Sequence, residues 1–514
     1  GGNGQSWATA YNSLQDGLDD AFFSSGFLKD VWVKEGTYYP SRDLNGNSNG
    51  RFNTFYVKGS NAVYGGFAGN ETQLSQRNIP AHPTILSGDL GTKNDKSDNA
   101  YHVVTFNSAS PRLDGLIIEG GNADHPSNHT YKGGGGIYEL NSFVAESHPV
   151  INGCVIRDNS ASSNGGGVMI SSNLANCTMD FIQCIFYNNT ALRGGAIYIQ
   201  KGGSNNIDVK ARLYNCTGVN NVGYAFNAPG FGEAYVVPPV VGSAVLELNN
   251  NLLLNNTTAN GSVLNVGGTV IGSNNYMGTN NNDLVDITNP VGADGLIMTA
   301  DDGFALQSGS SAINYGNNTL IPAEVKSDIT GEERIKQLQV DAGAYESFGC
   351  LNATKLYVDA EVDTLNGNGL TWATAFRYLN DALKMANLCS SVDSILIAKG
   401  TYYTSGDVNS TADQSIAFEI SRPVKIYGGY PNGGGTRDVA ANTVVLSGAI
   451  NTPARTDNSN HIMRVAAGVS DTTLIDGITF TNGYASVVGS YTFNGKLFRR
   501  TQGSALYSIN SLVH

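Results

Sequence analysis

The chain of 514 residues carries 63 glycines, 30 basic and 43 acidic residues and a net charge of −13, with 14% charged residues in all. At 40% hydrophobic it buries a core, which excludes disorder, and its acidic balance excludes nucleic acid or an anionic membrane surface as the main partner, since both need clustered Lys and Arg. No run of about 18 apolar residues predicts a membrane-spanning helix, and the glycines lack the three-residue period of collagen.

In chain order, Gly4-Gln5-Ser6-Trp7-Ala8-Thr9-Ala10-Tyr11 leads into an amphipathic stretch at about 12–23 that predicts a short helix. A strand at Val31-Trp32-Val33 follows, then Gly36-Thr37-Tyr38-Tyr39, Tyr64-Gly65-Gly66-Phe67, Leu86-Ser87-Gly88 and Asp114-Gly115-Leu116-Ile117-Ile118. Beyond this the pattern shortens. The run from Cys154 to Ala161 matches that from Cys184 to Ala191, and those from Cys216 and Asn251 fit more loosely, so the starts lie 30 to 35 residues apart. A Gly-rich step precedes a strand in each interval, at Gly135-Gly136, Gly166-Gly167 and Gly195.

About 365 residues after the opening, the long series begins again. Gly369-Leu370-Thr371-Trp372 is followed by a second amphipathic stretch at about 377–388, then Ile395-Leu396-Ile397, Gly400-Thr401-Tyr402-Tyr403, Tyr427-Gly428-Gly429-Tyr430 and Leu446-Ser447-Gly448. Short strands between Gly and Asn turns, repeated at roughly 20 to 35 residues, predict a β-solenoid. The expected organisation is one module over 1–349 (cap and first coils 1–105, repeat coils 106–290, module end 291–349) and the front of a second over 350–514. The chain then reads as a window from a longer tandem array.

A single coil cannot bury its inner face, and stacking at about 4.8 Å closes a shared core. Asn tolerates left-handed backbone and can bond its own kind above and below, so Asn159, Asn189, Asn221 and Asn256 are expected to form a ladder. Cys154, Cys184 and Cys216 share one repeat position and are expected to form an inward stack of small apolar side chains. Disulfides among them fit an oxidising compartment without being required. No Cys/His grouping has zinc spacing. Each amphipathic helix is expected to cap a coil stack and protect its open edge.

Phe186-Tyr187-Asn188-Asn189 followed by Gly194-Gly195-Ala196-Ile197 resembles the polymorphic outer-membrane protein repeat, which pairs an F-x-x-N box with a G-G-A-[ILV] box. The stretch with Trp7, Gly36–Tyr39 and Tyr64–Phe67 is similar to the N-terminal part of large right-handed parallel β-helix surface proteins of Bacteroidota. Ala300–Gln307, Ser311–Asn314 and Val340–Glu346 resemble the choice-of-anchor Q region of such proteins. The resemblance implies an all-β fold of right-handed parallel β-helix modules in tandem, each with a short N-terminal capping helix. It also implies export to the cell surface through type IX secretion, with roles in adhesion or gliding. The implied partners are surface or glycan ligands, the secretion and outer-membrane anchoring machinery, and neighbouring modules of the same chain.

Parallel β-helices also carry pectinases and polysaccharide lyases, so an enzyme of that class is the alternative. Arg334-Ile335-Lys336 and Asp301-Asp302 echo the polygalacturonase pattern, but no G-H-G is present, and no catalytic residue is assigned. Asp294, Asp301 and Asp302 lie around Gly turns and are candidate Ca²⁺ ligands, although they lack EF-hand spacing; no other cofactor is expected. His102 and His461 precede strands and are read as structural. Tyr38, Tyr39, Tyr64 and Phe67, matched by Tyr402, Tyr403, Tyr427 and Tyr430, are candidates for stacking on sugars, with packing under the cap as the favoured role. Asp363-Thr364-Leu365 resembles the Bacteroidota O-glycosylation site, with Thr364 as acceptor. The segments 122–134 and 223–241 are the expected side loops. The reading is a non-enzymatic surface adhesin or stalk.

Overall fold

The computed structural model describes residues 2–23, 30–107, 109–141, 146–203, 205–223, 232–236, 241–256, 264–266, 268–278, 282–336, 339–347, 350, 353–362, 367–406, 414–450, 455–486 and 488–514. These divide into two compact units. One comprises Gly1–Gln307, Tyr315–Arg334 and Val340–Ser347, and the other Ser308–Asn314, Ile335–Gln339 and Phe348–His514. Most of the regular structure is strand in parallel sheets, with few helices. Among the described residues no helix is long and apolar enough to cross a membrane.

In the first unit successive strands visit three long sheets in rotation, with a fourth sheet of two-residue strands (Asn122–Ala123, Ser160–Ala161, Thr190–Ala191 and Val222–Gly223) at one corner. Ile137–Asn141, Val150–Asn152 and Val155–Arg157 join one sheet each, and Val168–Ser172, Cys177–Ile182 and Ile185–Tyr187 repeat the same order. Each strand pairs in parallel with its counterpart one repeat away, so Ile137 lies beside Val168, Ile151 beside Phe181 and Ile156 beside Phe186. The side-chain period of two then decides which residues go inward. In Ile207–Tyr214, Ile207, Val209, Ala211 and Leu213 are buried while Asp208, Lys210, Arg212 and Tyr214 are half-buried. The inward residues of all three sheets belong to one apolar cluster that includes Leu113, Ile118, Ile137, Ile151, Ile170 and Phe186.

The corners are built from left-handed residues. Asp158, Asn188, Asn220 and Asn255 have φ of 54, 54, 56 and 50°, and Gly153, Gln183, Asn215 and Asn250 have 54, 52, 53 and 58°. Asx residues tolerate this region because their short polar side chains bond locally. The left-handed backbone expected of the ladder asparagines therefore belongs to the residue before each of them. That residue turns the chain, and the next one points inward.

The third sheet is buried on both faces: every residue of Ile185–Tyr187 and Leu252–Leu254 is buried. Its outer cover is the segment expected to end the module, which runs along the side of the repeats. Phe304 meets Tyr187 edge-on with ring centres 5.0 Å apart, and the Ala344 N–H donates to Thr217 Oγ1 at 2.9 Å. Gly343, at φ 104°, is needed here, since a Cβ would lie 2.8 Å from Leu252 Cβ. A helix, α1 (Leu14–Phe23), buries Leu14, Leu18 and Ala21, and its Gln15 amide exchanges bonds with both the N–H and C=O of Tyr56.

The second unit repeats this plan. Lys355–Val358, Ser394–Ala398, Lys425–Tyr430, Thr472–Asp476 and Leu512–Val513 follow one another in one sheet. A second helix, α2 (Leu379–Leu388), buries Leu379, Ala382, Leu383, Met385 and Ala386. Cys350 and Cys389 form a disulfide. One antiparallel hairpin, Ser490–Phe493 with Lys496–Arg499, departs from the parallel pattern.

Candidate functional site: the polar outer face of the first unit

The outward positions of the long sheet that contains Val150–Asn152 carry most of the charge of this face. In-register pairing places Asp114 beside Tyr64 and Asn152, and Arg212 between Asp180 and Glu247. Like charges at strand spacing repel, so the signs alternate. Asp180 takes two bonds from Arg212, both at 2.6 Å, and one contact from His148 at 2.9 Å. Asp114 accepts from Arg77 at 2.5 Å, Arg112 at 3.0 Å and Asn152 at 2.9 Å. On this sheet the two central carboxylates, Asp114 and Asp180, are thus each paired with guanidinium groups.

A groove of about 400 Å³ lies on this face, lined by Tyr64, Arg77, Arg112, Asp114 and Asn152 with Glu324–Ser327. It offers donors and acceptors side by side, with one ring (Tyr64), and suits a hydroxyl-rich ligand. Its strand carboxylate is committed to two guanidiniums.

The predicted ladder residues are brought together. Asn159 Nδ2 donates to Asn189 Oδ1 at 3.1 Å, Asn189 Nδ2 to Asn221 Oδ1 at 2.9 Å, and Asn221 Nδ2 to Asn256 Oδ1 at 2.9 Å. Each amide also donates to a backbone carbonyl, as Asn189 does to Ile156 at 2.8 Å. Cys154, Cys184 and Cys216 are buried free thiols, and the Cys184 N–H donates to Cys216 Sγ at 3.4 Å. Burial pushes the Cys154 and Cys184 thiols well up, which leaves them unreactive. Asn251 and Asn275 extend the same stack, with Asn251 Nδ2 donating to Asn275 Oδ1 at 2.9 Å. The repeat spacing places Asn251 at this position, after Cys216, whose N–H donates to Asn251 Oδ1 at 2.8 Å, but sequence reasoning missed Asn275. Its signal was present, since both Asn251 and Asn275 follow a second asparagine, Asn250 or Asn274, in left-handed conformation.

The acidic candidates serve the chain itself. Asp301 is held below the usual carboxylate range by the Thr299 hydroxyl and the Ala293 and Asp294 N–H groups. Asp302 is fully buried and accepts from the Met298 and Thr299 N–H groups and the Tyr345 hydroxyl. Asp294 Oδ1 accepts the Leu296 N–H at 2.8 Å. Among the described residues no group of three His, Cys, Asp or Glu side chains is placed to hold a metal. Arg334, the first residue of the R-I-K, is buried against Glu346 and is not on an open face.

Of the remaining candidates, Thr364 and most of 223–241 lie outside the described residues. The other expected side loop, 122–134, folds back onto an aromatic group in which Tyr131 meets Phe52 at 5.0 Å and Tyr101 at 5.4 Å. Arg51 lies 4.3 Å over the Tyr101 ring and pairs with Asp124. Phe67 packs under Trp7 and Trp32 at 5.4 and 4.7 Å, while Tyr39 is exposed. His102 is stacked on Tyr138 at 4.7 Å and His461 contacts Tyr507.

Two buried groups give the first unit opposed pH responses. Burial raises Asp302 to about 6 from 3.8, so its native form holds a proton that the unfolded chain has released between about pH 4 and 6. Stability from this group is present below pH 4 and lost as pH rises through 6. Burial lowers His102 to about 4 from 6.5, so its contribution is present above pH 6.5 and lost as pH falls through 4. Replacing Asp302 by Asn removes only the first effect. Relative to the parent, the variant should gain about 2 kcal/mol of stability between pH 4 and pH 7 in urea unfolding. An unchanged difference would assign the proton elsewhere.

The class these observations define is a repeat scaffold of parallel sheets whose outer face carries paired guanidinium and carboxylate groups. Comparison with known protein families and with curated proteins finds no match to this chain.

Proposed function

We propose that the chain is part of an exported, non-enzymatic surface protein of the right-handed parallel β-helix type. It serves as a stiff stalk or adhesin that presents its outer face to surface or glycan ligands. Closing the three sheets around their common apolar cluster makes a rod that lengthens by about 4.8 Å per repeat. The observation that carries the reading is the buried ladder from Asn159 to Asn256. It locks successive repeats in register and leaves the amides no free polarity for chemistry.

The Cys350–Cys389 disulfide supports export to an oxidising compartment. Type IX secretion, attachment at the outer membrane and a part in gliding rest on the resemblance to Bacteroidota surface repeat proteins. The paired guanidinium and carboxylate rows favour a neutral, hydroxyl-rich ligand over a polyanion. The reading includes no resident cofactor.

The test is to incubate the purified chain with a panel of plant, algal and bacterial polysaccharides. Retention on at least one glycan or cell surface, with no new reducing or unsaturated ends, is the expected result. Release of such ends would establish the carbohydrate-active enzyme instead.

A further inference from the structure

We infer that the outer edge of Val31–Lys34 in the first unit accepts one more parallel strand, of the type that Lys355–Val358 provides in the second. The two units repeat each other closely enough to compare position by position. Gly4 N–H donates to Thr9 O at 2.8 Å, as Gly369 N–H does to Thr374 O at 2.7 Å, and both segments make a 3-10 turn at Trp7–Thr9 and Trp372–Thr374. In the second unit Lys355–Val358 pairs along Ser394–Ile397. It is held from the other side too. Tyr357 N–H donates to Gly369 O, Phe376 N–H to Tyr357 O and Asp359 N–H to Phe376 O, all at 2.9 Å. Its Leu356 and Val358 are fully buried in one cluster with Ala382 and Leu383 of α2.

Among the described residues the matching groups of the first unit have no such strand beside them. Val31–Lys34 pairs, among the described residues, on one side, with Ala62–Phe67. Among the described residues the Gly4 and Tyr11 carbonyls and the Tyr11 N–H, counterparts of those in Gly369 and Phe376, make no backbone hydrogen bond. A cleft of about 890 Å³ runs along this edge, lined by Tyr11, Leu14, Gly17 and Val33 and by Asp20 and Asp30. Unpaired strand edges beside a cleft with both apolar and polar lining are what strand addition uses, with main-chain bonds supplying affinity and alternate pockets specificity. The occupant is an extended peptide segment with apolar side chains at alternate positions and a leading lysine. In the register of the second unit, where Lys355 pairs with Ser394 and Leu356 with Ile395, that lysine falls opposite Asp30 and the first apolar residue opposite Val31.

Grafting residues 353–365 ahead of Gly1 of the full chain tests this, because the spacing to Gly1 then matches that in the second unit. Amide exchange at Val31–Lys34 and Tyr11 should slow by about ten-fold or more. A graft carrying Leu356→Asp and Val358→Asp in the added copy should leave exchange as in the parent chain. No slowing with the apolar graft, or equal slowing with both, overturns the proposal. Protection in the ungrafted chain that grows with its concentration would give the edge to a second copy and overturn it as well.

Discussion

Replacing Asn189 by Ala is expected to cost the first unit roughly 4 kcal/mol, among the largest effects of any single side chain in it. Asn189 is fully buried, accepts from the Asn159 N–H and amide, and donates to Ile156 O and Asn221 Oδ1. Truncation removes four hydrogen bonds from a dry interior; Asn221 Oδ1 keeps the Asn189 N–H and Asn159 Nδ2 keeps Ile118 O, while the Asn159 N–H and Ile156 O lose these partners at about 1–3 kcal/mol each. The neighbouring Asn188→Ala is the control. Asn188 is exposed, holds φ of 54° and bonds only Asp158 with its amide, so its loss should cost about 1 kcal/mol. Urea unfolding of the two variants measures both, and similar costs would mean that the ladder does not lock the repeats.

Removing the Arg334 guanidinium by Arg334→Ala should cost about 4 kcal/mol, for a different reason. Arg334 is 2% exposed and donates to Gln183, to the carbonyls of Gly343 and Ala344, and to the Glu346 carboxylate. The variant leaves Glu346 buried without its counter-charge, and burial already pushes that carboxyl well up. Limited proteolysis should therefore cut between 315 and 347 before it cuts the repeats. The paired change Arg334→Met with Glu346→Leu removes both charges and should recover most of the loss. If the single variant is as stable and as resistant as the parent, the pair does not hold the cover in place.

Much of the scaffold was readable because its signals are local and repeated. The Asp158-Asn159, Asn188-Asn189 and Asn220-Asn221 dipeptides each encode a left-handed turn followed by an inward amide, and the repeat spacing aligns them. The cover was not readable. Thr217 meets Ala344 and Gln183 meets Arg334 across 127 and 151 residues, and no short-range pattern announces such a pairing. The acidic run at Asp294–Asp302 looked like a cation site because spacing alone cannot show that backbone N–H groups already occupy its oxygens. The charge pairing of the outer face was hidden for a related reason. Arg212 and Asp180 stand on different strands, and only the register joins them.

The central claim is that the three sheets close around one core in each repeat. It is tested most directly by methyl NOEs in the perdeuterated chain with labelled isoleucine δ1 groups. Ile137, Ile151 and Ile156 stand on three successive strands, one in each sheet, and all are fully buried. A closed repeat predicts cross-peaks among all three, including Ile137 with Ile156. Cross-peaks confined to neighbours within each sheet, with none between Ile137 and Ile156, would contradict the account.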